Sequence, residues 1–153
     1  IGRRENSEGS IQIPSDFHLE MSDNTYLRVQ PNTSATYTLM TTYLTDNIKI
    51  TGGNLVGDRF EHDYSPFTDA AGVKRNEHGW GHLLWIIGSS NVEIDNVNLS
   101  RAIGDGIVFH GERFRNNDGS LKPGAKEVNN VTVRKVGNFI KNPVPNGSAG
   151  PAK

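Results

Sequence analysis

The chain contains no cysteine, which excludes disulfides, thiol catalysis and zinc–thiolate sites and leaves the redox compartment open. Long apolar runs are missing too. The longest, Leu83 to Ile87, is five residues, against the ~20 that a membrane-crossing helix needs, so no membrane span is expected. No cluster of Lys and Arg is present to neutralise a row of phosphates. With 16 Lys and Arg against 17 Asp and Glu, the formal net charge is −1, and nucleic acid is not an expected partner. Ala and Leu are scarce, and no long window keeps apolar side chains at i, i+3, i+4 and i+7, so helices are not expected. The chain begins with Ile1 and shows no charged-then-apolar leader, which reads as a trimmed or mature product.

What remains is a β vocabulary. The 153 residues suit one domain, and 17 of them are Gly. Short β-branched runs alternate with clusters of Gly, Asn, Asp and Ser. They are Ile11–Ile13, Tyr26–Val29, Ile48–Ile50, Leu83–Ile87, Val92–Ile94, Ile107–Phe109 and Val131–Val133. Each reads as a strand of three to five residues.

Three of these runs repeat one another. Asn47-Ile48-Lys49-Ile50, Asn91-Val92-Glu93-Ile94 and Asn130-Val131-Thr132-Val133 each place an Asn before apolar, polar, apolar, at intervals of 44 and then 39 residues. A second short segment follows each: Asn54-Leu55-Val56, Val97-Asn98-Leu99 and Val136 to Phe139. Gly81-His82-Leu83-Leu84 also resembles Gly106-Ile107-Val108-Phe109, 25 residues on. A coil of about 25 residues with loops inserted in its neighbours explains the three spacings, and stacked coils are what a parallel solenoid requires. Alternate Ile, Val and Leu would fill its interior, and Asn47, Asn91 and Asn130 would stack as an amide ladder. The competing reading is that Asn merely favours the turn before a strand.

The segments Asn47 to Arg59, Gly79-Trp80-Gly81-His82, Ile87 to Val92 and Gly104-Asp105-Gly106-Ile107 resemble the right-handed parallel β-helix proteins of the pectin-lyase-like superfamily. Ile11-Gln12-Ile13-Pro14-Ser15 is similar to the first coil of many of them. The resemblance covers about residues 11–139 and implies an all-β, right-handed parallel β-helix of about four to five coils. The expected organisation is a lead-in over 1–10, a β-helix domain over 11–140 with long loops at 58–80 and 112–129, and a tail or linker over 141–153. It also implies a polysaccharide-acting protein, a lyase or glycoside hydrolase, at the cell surface or secreted. The alternative within the same fold is a non-catalytic glycan-binding, adhesin or tailspike-like module, because fold alone does not decide function.

The two segments that break the repeat are polar, and the expected coil order sets them on either side of one sheet, walling a groove for an extended glycan. Asp58 and Asp105 each follow a Gly and lie near strand ends. Facing the groove, they could work as an acid and a base or nucleophile, together with His110 and Glu112 past the next strand. Equally, Gly104-Asp105-Gly106 is turn chemistry in its own right. Arg59, His62, His78, Trp80, His82 and Arg113 are the expected substrate contacts, with Arg suited to a uronate carboxyl and Trp80 to a sugar ring; equally, Trp80 would clamp the long loop shut, and His82 reads as a strand-edge residue with a satisfied hydrogen bond. Trp85, alternating with Leu83 and Ile87, reads as packing. His78 and His82 have the i, i+4 spacing of a zinc pair, but they fall at a loop-to-strand junction rather than on a helix, so no metal is expected there. No cofactor is expected; calcium, which helps several β-helix lyases, would have Asp58, Glu61 and Asp63 as oxygen ligands, in a spacing looser than a dedicated loop. Few coils and a Pro-, Gly- and Ser-rich end point to the remainder of a larger chain, or a neighbouring subunit, covering the last coil.

Overall fold

The computed structural model describes residues 10–111, 120, 124 and 126–137. The lead-in before Ser10, Glu112, Arg113, most of the 112–129 loop, Phe139 and the 141–153 tail lie outside the described residues. The strands are β1 (Ile11–Ile13), β2 (Phe17–Glu20), β3 (Tyr26–Arg28), β4 (Thr36–Tyr43), β5 (Asp46–Thr51), β6 (Asn54–Val56), β7 (Phe67–Thr68), β8 (Lys74–Arg75), β9 (Trp80–Ile87), β10 (Ser90–Asp95), β11 (Asn98–Ser100), β12 (Ile107–His110) and β13 (Asn129–Arg134). No helix occurs among the described residues. Three sheets are parallel throughout: β1-β4-β9-β12, β2-β5-β10-β13 and β3-β6-β11. The chain visits the first, second and third sheets in rotation, so each strand lies on its counterpart from the previous circuit. This all-β, parallel arrangement is compatible with a β-helix.

Register explains the core. Phe17, Ile48, Val92 and Val131 are successive partners across the second sheet, as are Leu19, Ile50, Ile94 and Val133. Leu27, Leu55 and Leu99 align across the third. Ile48, Ile50, Val92, Ile94, Leu55 and Leu99 are buried in one cluster with Met40, Leu83, Leu84 and Ile86 of the first sheet. Period-two alternation puts one face of the strands in the three parallel sheets toward this cluster.

The turns between sheets carry left-handed residues stacked in columns. Asp16, Asn47, Asn91 and Asn130 occupy the corner before the second sheet with φ of 57°, 58°, 55° and 50°. Asn and Asp tolerate that region better than other residues bearing a Cβ. The corner after the sheet is taken by Gly52, Asn96 and Lys135. A Cβ on Gly52 would lie 2.0 Å from the Met21 carbonyl oxygen, so glycine is required there by close approach as well as by φ. The ladder forms, and it has one more rung than expected: Asn130 Nδ2 donates to Asn91 (2.6 Å), Asn91 to Asn47 (2.9 Å) and Asn47 to Asp16 (2.7 Å).

Three features depart from the sequence reading. β2 and β4 were not among the expected strands; β4 is rich in Thr and lacks Val and Ile, yet it lies inside the first sheet with Thr41 and Thr42 buried. Burial is tolerated because Thr41 Oγ1 donates to the Trp85 carbonyl (3.0 Å) and Ser89 Oγ to Thr42 Oγ1 (3.0 Å). Ile107 pairs with Leu84 rather than His82, a slip of two residues that keeps every side chain on its expected face. Finally, the 58–80 excursion carries its own antiparallel hairpin, β7–β8. Asp69 closes the hairpin by accepting the amides of Ala71 and Val73 and the Arg75 guanidinium, each at 2.9 Å.

Candidate functional site

The excursion between β6 and β9 is anchored by a buried polar chain. Asp58, immediately after the β6 exit, is only 2% exposed. Its Oδ1 accepts the Tyr37 hydroxyl at 2.6 Å. Its Oδ2 accepts the Asn32 side-chain amide at 2.8 Å, the Asn32 backbone amide at 3.2 Å and His62 Nδ1 at 2.7 Å. His62 Nε2 meets His78 Nδ1 at 2.9 Å, and His78 Nε2 reaches the Ser65 carbonyl oxygen at 3.1 Å. Tyr64 and Phe67 pack edge-on against these imidazoles. Burial, reinforced by the Asp58 carboxylate, pushes the Tyr37 hydroxyl well above the usual phenol range, so it donates and does not ionise. Room for the Tyr37 ring comes from its register partner Gly81, where a Cβ would sit 2.5 Å from the ring.

Asp58, His62 and His78, expected in an open groove, are therefore brought together but enclosed. A carboxylate enclosed in this way, with four donors aimed at it, is shielded from a polymer in solvent and ties β4 and the segment before it to the start of the excursion. Tyr37 and Asn32 were missed from sequence. The available signal was Gly81 inside a strand, which marks close approach of another group.

A second constellation has solvent access. Trp80, 52% exposed, begins β9 with its ring edge-on to His82 at a 5.9 Å centroid distance. His82 is buried, packs against Trp85 at 5.6 Å, and accepts the Asp105 amide on Nδ1 at 3.1 Å. The Asp105 carboxylate, 74% exposed, lies 3.8 Å from the same nitrogen. His110 closes the row at the exposed end of β12, 6.5 Å from the Trp85 ring. Trp85 is buried as expected, but against these imidazoles rather than in the apolar cluster that holds Leu83. Arg59 is exposed and lends its carbonyl to the Tyr64 hydroxyl.

The three carboxylates suited to calcium do not converge. Asp58 is consumed by its donors, Glu61 lies 3.8 Å from Arg28 and 3.7 Å from Arg101, and Asp63 accepts the Ser65 amide and hydroxyl. Those Ser65 hydrogen bonds hold the Asp63 carboxyl below the usual range. Among the described residues no group of three or more His, Asp or Glu side chains is placed to hold a metal ion. No helix among them is long and apolar enough to cross a membrane.

No family model matches the chain, and no solved structure does so either. It is 36% identical over 127 residues to the SPbeta prophage-derived uncharacterized protein YorA of Bacillus subtilis (strain 168), covering 83% of this chain and 20% of that protein. It is also 36% identical over 107 residues to the uncharacterized protein YclG of the same organism, covering 70% of this chain and 18% of that one. The chain thus spans about a fifth of the length of these curated relatives.

Proposed function

We propose that the chain is part of a longer right-handed parallel β-helix of the pectin-lyase-like kind, and that it holds an extended polysaccharide beside β9 and β12, at the cell surface or outside the cell. The observation that carries this reading is the exposed Trp80 ring set next to His82 and the open Asp105 carboxylate. An aromatic plane covers the apolar face of a sugar, and exposed carboxylate and imidazole groups such as Asp105 and His110 bond its hydroxyls. Such a row suits a polymer lying across successive strands. Catalysis is the second reading, favoured by the Asp105 carboxylate and the His110 imidazole both standing open to solvent, the two group types that general acid–base chemistry uses. With Asp58 enclosed, the two-carboxylate hydrolysis built on Asp58 and Asp105 is not part of the proposal.

The test is a panel of neutral and acidic polysaccharides offered to the intact chain. Retention in affinity electrophoresis, reducing ends and unsaturated products are read together. Retention is expected for at least one polymer, weakened about tenfold in Trp80→Ala, the loss of ~1.4 kcal/mol that one aromatic contact supplies. Product release abolished in Asp105→Asn would establish the catalytic reading. Failure to retain any polymer, or full retention by Trp80→Ala, would overturn the proposed site.

A further inference from the structure

Counting donors along the buried chain leaves one proton over. His62 Nδ1 lies 2.7 Å from Asp58 Oδ2, so that nitrogen presents a proton. At the other end His78 Nε2 faces the Ser65 carbonyl oxygen at 3.1 Å; a carbonyl can only accept, so this nitrogen presents a proton too. Between them, His62 Nε2 and His78 Nδ1 are 2.9 Å apart, and a hydrogen bond there takes one more. Three contacts need three ring protons, whereas two neutral imidazoles carry two.

The surplus proton does not belong on Asp58. Its two oxygens already accept the Tyr37 hydroxyl and both Asn32 donors as well as His62, the pattern of an ionised carboxylate. We propose that His62 and His78 share a third proton, forming a singly charged pair whose charge Asp58 balances inside the protein. The other partners at hydrogen-bond distance, Tyr37, Asn32 and the Ser65 carbonyl, are neutral. Asp63 is the adjoining carboxylate; it is exposed and occupied by Ser65.

The charged pair acts as a clasp. Asp58 stands where the chain leaves β6 and His78 where it returns, so the ion pair joins the two ends of the excursion. Trp80 follows His78 by two residues, so the clasp closes just before that ring. The bearing of the clasp on glycan rests on the function proposed above, but the proton count does not. Without the third proton one contact would lose its hydrogen and Asp58 would keep an uncompensated buried charge, a costly state.

Ring-nitrogen NMR of the intact chain near neutral pH tests this directly. Three of the four ring nitrogens of His62 and His78 should carry protons, shielded from exchange, with coupling across the His62–His78 hydrogen bond. In Asp58→Asn the balancing charge is gone, so the count should fall to two and amide exchange over residues 59–79 should quicken. A count of two in the unmodified protein, or three in Asp58→Asn, would overturn the clasp; should the variant not fold, the unmodified count alone decides. Absence of glycan retention alongside a count of three would defeat the proposed function and leave the clasp intact.

Discussion

Replacing Asn91 separates two jobs that one side chain performs. It donates to Asn47 at 2.9 Å, accepts from Asn130 at 2.6 Å, and holds the backbone at φ 55°. Asn91→Gly removes both hydrogen bonds but suits the left-handed backbone. Each bond is worth about 0.5–1.5 kcal/mol net, and these are solvent-exposed, so the low end applies and the pair contributes about 1–2 kcal/mol. Glycine adds about 0.5–1 kcal/mol through the freedom it gains on unfolding. Asn91→Ala loses the same bonds and must hold a Cβ in the left-handed region, costing about 1–2 kcal/mol. Both variants should be less stable in equilibrium urea unfolding, with alanine the worse by up to about 1 kcal/mol. Asn91→Asp keeps the acceptor for Asn130 and the tolerance for positive φ, but turns a carboxylate toward the Asn47 oxygen; it should fall below wild type and recover in acid. A glycine variant as stable as wild type would show that the ladder contributes nothing, and an alanine variant better than glycine would refute the backbone argument.

Tyr37→Phe should cost about 1–3 kcal/mol in the same assay, because Asp58 Oδ1 loses its buried donor; no loss would mean that solvent reaches Asp58. Since the folded state raises the Tyr37 hydroxyl, its contribution is complete below the ordinary phenol value of about 10 and fades as pH rises beyond it. Ultraviolet titration of the folded protein, read as the difference from Tyr37→Phe, should therefore show Tyr37 silent at about pH 10; ionisation of Tyr37 there would refute it. The Val73 amide, followed by the Arg75 guanidinium, holds the Asp69 carboxyl below its usual range, so the β7–β8 hairpin should keep its Asp69 contacts above about pH 4 and lose them only as pH falls through the lower folded value. Amide shifts of Ala71 and Val73 moving at or above the ordinary Asp value would contradict this.

Local chemistry made much of the architecture legible. Asn before apolar-polar-apolar foretold β5, β10 and β13 and their stacking, because the alternation fixes which side chains turn inward and Asn is at ease in a left-handed bend. β4 escaped because four of its eight residues are Thr, whose burial depends on an acceptor in β9 and a donor at Ser89. Neither partner is near β4 in the chain. Sequence also singled out Asp105, Trp80 and His82, whose proximity follows from β9 and β12 being neighbours in one parallel sheet.

Sequence by itself determined a β chain of recurring strands, with asparagines before three of them and its polar excess gathered in two segments that break the repeat, one of them the excursion between β6 and β9. Only the tertiary structure decided which of those polar groups meet water. Asp58, His62 and Asp105 are alike on paper as proton carriers, but the excursion folds back so that Asn32 and Tyr37, 26 and 21 residues from Asp58, seal Asp58 and His62 away and leave Asp105 open. The physical reason is that desolvating a charge is tolerable only where donors converge on it, and convergence is a property of distances in space that no residue carries alone.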